Sequence, residues 1–171
     1  MTDLHFNKTL IVGGTGMLAE TSRFLAEHSS HLTIAARQPD ALAKSLGATA
    51  VVLDWSAGQD AAAIIGILPE FDLVVSWVHD DGIWLVEHLE SKVKTGGRSI
   101  RVHGSRSGNP ATMATRNPRL RSSISRQNVV LGWVKTPKGR RWLRDGEISA
   151  GVINAVSNTS TLLVIVGTVD D

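Results

Sequence analysis

The sequence contains no cysteine, which excludes disulfides and thiolate metal ligands and makes a reducing cytoplasm the expected compartment. Its six histidines show no His-x-x-x-His spacing, so no metal site is expected. No run approaches the roughly twenty apolar residues a membrane helix requires, and Met1-Thr2-Asp3-Leu4-His5 does not resemble a signal peptide. No membrane partner is expected. With 42% hydrophobic and 20% charged residues over 171 positions, the composition is that of one soluble globular domain, residues 1–171, with a single core and no room for a separate substrate domain. No internal repeat, low-complexity tract or interdomain linker interrupts it.

Against these absences stands one informative stretch, Leu10-Ile11-Val12-Gly13-Gly14-Thr15-Gly16-Met17-Leu18-Ala19. An apolar run that breaks into a glycine turn and then a helical pattern is how a nucleotide-binding βαβ unit begins. Gly13 and Gly16 with small Ala19 give a G-x-x-G-x-x-A spacing. The first glycine allows the tight turn, the second lets backbone approach a pyrophosphate, and the third position needs only a small residue for helix–strand packing. A helix starting near Thr15 would aim its free N–H groups and positive dipole end at phosphates. Leu18, Phe24 and Leu25 follow at helical spacing, and His31–Ala36 reads as a second strand. Thr9 to Ala36 thus supplies the roughly thirty residues of a βαβ unit. No lysine follows either glycine, so the other phosphate-cradling loop, G-x-x-x-x-G-K-[ST], is absent and a nucleoside triphosphatase is not expected.

Alternation continues to the end of the chain. A helix is expected over Gln38–Leu46, a third strand over Thr49–Leu53, a helix over Ala57–Leu68 and a buried strand over Phe71–Val78. A helix about Gly82–Val93 and a turn at Gly96-Gly97 lead into a fifth strand, Arg98–His103. Asn128–Val134 reads as a sixth strand, Gly146–Ser157 as a helix and Leu162–Val166 as a seventh strand. The expected fold is α/β: a doubly wound, mostly parallel, Rossmann-like sheet of about seven strands, with ligands at the C-terminal strand ends.

At this point the chain resembles the short-chain dehydrogenase/reductase superfamily, in particular small atypical members that open with a Gly-Gly-Thr-Gly turn. The resemblance covers nearly the whole chain. It rests on Gly13–Leu18, on Ala35-Ala36-Arg37, on Leu53-Asp54-Trp55, on Val102-His103-Gly104-Ser105 and on the tail Arg141–Val152. It implies an NAD(P)-dependent oxidoreductase. Typical members carry a Tyr-x-x-x-Lys helix after the fifth strand, with the tyrosine as proton donor, yet this chain contains no tyrosine at all. Where that helix belongs stand Asn109-Pro110 and Asn117-Pro118, which break helical continuity. The usual mechanism therefore does not carry over. Either another acid transfers the proton, or the protein binds cofactor without turnover, as a redox sensor or scaffold.

Candidate site residues follow from these placements. An NAD-specific site usually has an acid after the second strand, whereas here Ala36 is followed by Arg37, which can pair with a 2′-phosphate and lay its guanidinium on adenine. NADP(H) is thus expected in preference to NAD(H). The cofactor-contacting set comprises Gly13, Thr15, Gly16, Met17, Leu18, Arg37, Asp54, Trp55, Trp77 and Val78, with Asp54 meeting the adenine amino group by family resemblance and Trp55 and Trp77 as core or cofactor-flanking walls. His79 and His103, whose imidazoles suit proton transfer near neutral pH, and Ser105, where the resemblance places a catalytic serine, are the candidate proton-transfer residues. Each also has a structural reading, as a satisfied strand-end histidine or a turn-closing serine. Arg126 and Gln127 read as exposed strand-end residues within reach of a ligand.

Charge is unevenly distributed. Arg98 to Arg144 holds ten Arg and two Lys with no acid, while Met1 to Gly97 has six basic and twelve acidic residues. The net charge of +2 hides this cationic segment. Three readings compete: a solvated face or subunit contact, an electropositive mouth of Arg106, Arg116, Arg119 and Arg121 for an anionic small-molecule substrate, and nucleic-acid binding. The last ranks lowest, because there is no long basic helix and no interleaved Phe or Tyr for base stacking. A small domain without a lid is expected to complete its pocket in a homo-oligomer.

Overall fold

The structure, a computed structural model, describes residues 3–79, 82, 84–104 and 123–169. Its centre is β1 (Phe6–Val12), whose Leu10, Ile11 and Val12 are fully buried on both faces, flanked in parallel by β2 (Ser29–Ala36) and β4 (Phe71–Trp77). Continuous apolar character suits a strand covered on both sides. β3 (Thr49–Val52) pairs outside β2, and β5 (Val93–His103), β6 (Ser125–Leu131) and β9 (Leu163–Val166) extend the other side. The seven-stranded order is β3-β2-β1-β4-β5-β6-β9, parallel throughout.

Helices cover both faces. On one lie α1 (Ala19–Glu27), α2 (Asp40–Leu46) and α5 (Asp145–Ser157), with Leu25, Ala43, Val152 and Val156 packed on Ile11, Ile34, Val75, Ile100 and Val129. On the other, Ile65 of α3 (Gln59–Gly66) and Leu85 and Leu89 of α4 (Leu85–Glu90) meet Leu10, Val12 and Val74. Alternate strand residues thus feed two separate cores, each fully buried Leu, Ile or Val contributing about 1.5–3 kcal/mol.

Three expectations change. The expected sixth strand ends at Leu131, because a Cβ on Gly132 would lie 2.2 Å from the Thr168 carbonyl oxygen, and Trp133 exchanges both backbone hydrogen bonds with Thr168 at 2.8 Å. The crossing tail diverts the chain into an antiparallel hairpin, β7 (Trp133–Thr136) and β8 (Gly139–Trp142), whose Trp133 and Trp142 rings lie 4.3 Å apart. Gly96-Gly97 is not a loop turn but an irregularity inside the longer β5, across which the pairing jumps from Phe71↔Val93 to Leu73↔Arg98. Arg126 and Gln127 are interior residues of β6, not exposed strand-end groups.

Their burial has a structural purpose. Gln127, fully buried, donates to the carbonyls of Ala155, Asn158 and Thr161, and Arg98 donates to Ala155, Val156 and the Gln127 side chain. Together they satisfy carbonyls at the C-terminal end of α5 that have no partner within the helix. Arg126 forks onto Glu90 of α4 at 2.6 and 2.9 Å, both side chains less than a tenth exposed. Burial raises the Glu90 pKa above the usual carboxylate value even against the attraction of Arg126 and Arg101 and hydrogen bonds from Arg126 and Ser99.

Removing one partner of a buried pair leaves an uncompensated charge. Glu90→Ala is expected to cost about 3–5 kcal/mol of unfolding free energy by urea denaturation; a loss under about 1 kcal/mol would contradict that role. At the start of α5, Glu147 accepts from the Arg141 fork at 2.7 and 3.0 Å and from the Arg144 N–H at 2.8 Å, and its pKa falls to about 2. A lowered carboxylate pKa stabilises the fold above the ordinary value and loses that contribution as pH falls towards the folded one. Glu147→Gln should therefore flatten the loss of stability between pH 4.5 and about 2; an unchanged slope in acid denaturation would contradict this.

Candidate functional site

The strand order reverses direction at β1. The β1–β2 connection carries α1 on one face, and the β3–β4 connection carries α3 on the other. Diverging connections leave a crevice at the C-terminal ends of β1 and β4, the usual ligand position in open α/β sheets. A cleft of about 510 Å³ lies there. Gly13, Thr15, Gly16 and Met17 form one side, Ala36, Arg37 and Gln38 line the end of β2, and Trp55, Trp77 and His79 form the aromatic wall.

Gly13 makes the turn possible. Its φ is +78°, its N–H donates to the Ala35 carbonyl at 2.9 Å, and a Cβ there would sit 2.6 Å from the Trp77 carbonyl oxygen. Only glycine combines that dihedral with that approach. Gly14 packs inward: its Cβ would meet Ser22 Oγ at 2.5 Å, and the Ser22 hydroxyl donates to the Gly14 carbonyl at 2.7 Å. Close helix–strand packing thus falls to Gly14 and Ser22, while Ala19 is only half-buried. Gly16 is the open position, with nothing within 4 Å of where a Cβ would be. α1 starts at Ala19 rather than near Thr15, since the Ala19 N–H donates to Gly16 in a tight turn at 3.0 Å.

From behind, Ser149 of α5 holds this turn. Its buried hydroxyl donates to the Met17 carbonyl at 2.8 Å and accepts the Thr21 N–H at 3.3 Å. A serine in a helix interior gives no sequence signal for such a long-range tie, whereas the doubled glycine was a readable hint for Gly14.

The expected site residues separate into groups. Gly13, Thr15, Gly16, Met17, Arg37, Trp55 and Trp77 come together in the cleft, joined by His79. Leu18 is fully buried and Val78 nearly so, both in the core. Asp54 does not line the cleft; its carboxylate accepts from the Ser56 hydroxyl at 2.6 Å and N–H at 3.0 Å, which with the Arg37 charge hold its pKa below the usual range. His79 is exposed, its ring centroid 5.3 Å from Trp77 and 6.0 Å from Trp55. His103 lies at the end of β5, with Nε2 2.9 Å from Asn128 Oδ1. Ser105 and the four mouth arginines Arg106, Arg116, Arg119 and Arg121 lie outside the described residues. Among the described residues no acidic or histidine cluster could hold a metal ion, and no helix is long and apolar enough to cross a membrane.

No protein-family model matches the sequence, and comparison with curated proteins gives no match. Solved structures do share its fold. A short-chain dehydrogenase/reductase of the glucose/ribitol dehydrogenase type from Brucella melitensis superposes with a TM-score of 0.71 at 14% identity, covering 96% of both chains. A short-chain dehydrogenase/reductase from Serratia marcescens gives 0.67 at 16% identity, covering 99% of this chain and 100% of the other. BdcA of Escherichia coli, in a complex with NADPH, gives 0.64 at 17% identity over 99% and 98%. The chain therefore has the fold of short-chain dehydrogenase/reductase structures.

Two alanine substitutions test the turn. Gly13→Ala is expected to lower unfolding free energy by at least about 1–2 kcal/mol, the left-handed backbone cost alone, with the Trp77 contact adding to it. Gly16→Ala should stay within about 0.5 kcal/mol of the parent, since its Cβ enters open space. Equal effects in thermal unfolding would contradict the division between a packed and an open glycine.

Proposed function

We propose that this chain binds NADP(H) in the cleft and is an oxidoreductase transferring hydride to a small carbonyl or imine compound. The observation that carries the reading is the positive-φ glycine turn at the β1–β4 crevice, open at Gly16 and faced by Arg37 at the end of β2. A pyrophosphate suits the exposed backbone of that turn and the N-terminal end of α1. Arg37 would pair with the 2′-phosphate, and Ala36 leaves no acid there to hold the ribose hydroxyls of NAD. The NADPH complex of BdcA, a protein of the same fold, supports this choice.

When bound, the nicotinamide supplies the hydride. The chain's own residues then have to orient it, exclude water and deliver a proton. Trp55 and Trp77 provide apolar walls, and His79 is the candidate proton donor that lines the same cleft. A homo-oligomer that completes the pocket and a cytoplasmic location belong to the same reading. A second reading, a non-catalytic NADP(H)-binding redox sensor or scaffold, is favoured by one observation: without tyrosine the chain has no Tyr-x-x-x-Lys pair. NADPH consumption against a panel of carbonyls and imines separates the two.

By calorimetric titration NADPH should bind at least about tenfold more tightly than NADH, about 1.4 kcal/mol, and Arg37→Ala should erase the difference. Equal affinities in the parent would overturn the NADP(H) preference. If the protein turns over, alanine at one of His79, His103 or Ser105 should lower the rate on the order of a hundredfold or more with NADPH affinity kept. Near-normal turnover in all three would assign the proton to substrate or solvent.

A further inference from the structure

The antiparallel hairpin β7–β8 stands apart from the cofactor cleft, and none of its residues lines that cleft. From Trp133 to Arg144 the chain carries five cationic residues and no acid. Directly opposed residues of a hairpin share a face, and the pairing sets Trp133 against Trp142 and Lys135 against Arg140. Strand alternation puts all four on one side. The other side is turned to α5, where Arg141 forks onto Glu147.

The outer face combines an open aromatic surface with positive charge. Trp142 is 62% exposed, against 36% for Trp84, the next most exposed tryptophan, and its ring lies 4.3 Å from that of half-buried Trp133. Arg140 on this face and Lys138 in the turn are exposed, and neither makes a hydrogen bond or ion pair among the described residues. The hairpin is held at both strands: Trp133 exchanges both backbone hydrogen bonds with Thr168, and Arg141 is anchored to α5. Two residues apart along β8, Arg140 and Trp142 are separated by about 7 Å, close to the phosphate spacing of an extended nucleotide strand.

We propose that the outer face of this hairpin binds single-stranded nucleic acid, with a base stacked on Trp142 and the adjoining phosphates held by Arg140 and Lys138. An exposed aromatic ring beside cations suits a single strand, since every base has a π-face and every step a phosphate. The basic segment contains no Phe or Tyr; the fold supplies tryptophan in their place by pairing Trp133 with Trp142. The same charges would attract an anionic membrane, but this face presents no Leu, Ile or Phe to enter the acyl boundary.

Fluorescence anisotropy on the full chain would compare three labelled probes: an oligothymidylate of about twelve nucleotides, an oligouridylate of the same length, and an abasic chain that has the phosphates without the bases. At least one of the two base-bearing strands should bind more than about tenfold tighter than the abasic chain, and should weaken as salt rises from about 50 to about 200 mM. Trp142→Ala should remove most of this preference for bases, Trp142→Phe should retain part of it, and NADPH affinity should be unchanged in both. Arg140→Gln should lower the slope of log affinity against log salt by about 0.7. No oligonucleotide binding, equal binding of the abasic chain, or a base preference that survives Trp142→Ala would overturn the assignment. Preference for phosphatidylserine vesicles over both strands would overturn it in favour of a membrane surface. Should Trp142→Ala fail to fold, Arg140→Gln decides: affinity and salt slope equal to those of the parent overturn it. Oligonucleotide binding needs no NADPH, so failure of the cofactor reading leaves this one standing.

Discussion

The approach of Gly13 to the Trp77 carbonyl sets the geometry on which the site depends. β1 and β4 are hydrogen-bonded neighbours, yet their connections leave on opposite faces of the sheet, so their C-terminal ends must part just where backbone meets backbone. A residue with a Cβ at position 13 would collide with that carbonyl at 2.6 Å and could not easily hold a φ of +78°. The part of the cleft wall built on β1 and β4 follows from this contact: Thr15 and Gly16 beyond the turn, Trp77 beside it, and His79 against the Trp77 ring.

A second constraint acts through α5. At its far end, Arg98 and Gln127 take up carbonyls the helix leaves unpaired; near its start, Arg141 and the Arg144 N–H secure Glu147, and Ser149 reaches across to Met17 and Thr21. The helix is thereby fixed lengthwise, and its fixed position supports the glycine turn from the side away from the cleft. Three of the cations between Arg98 and Arg144 thus have structural roles: Arg98 and Arg141 tie the two ends of α5, and Arg126 pairs with the buried Glu90 of α4.

How much of this was legible in the sequence depended on the range of the interaction. The parallel strands declared themselves as short apolar runs because both sheet faces are covered, and the Gly13 turn was readable because a strand–glycine–helix succession is local. The hairpin was not, since Asn128–Val134 is continuously strand-like, and only the Thr168 backbone lying against Gly132 breaks it. Gln127 and Arg126 looked like solvent-facing polar residues because their partners, the end of α5 and Glu90, are about thirty positions away in the chain. Asp54 stood in the right place after β3, but its engagement by Ser56 is a side-chain geometry that spacing does not encode. The aromatic wall is likewise half legible: Trp55, Trp77 and His79 each follow a strand in the sequence, while their assembly around one cleft requires the sheet.

The central claim is that a dinucleotide occupies the crevice between the glycine turn and the aromatic wall. Amide hydrogen exchange followed by mass spectrometry, with and without saturating NADPH, tests it most directly. The account predicts slowed exchange in peptides spanning residues 13–19, 36–38 and 77–79, with the β7–β8 hairpin unchanged. Unaltered exchange at the glycine turn, or protection confined to the hairpin, would contradict it.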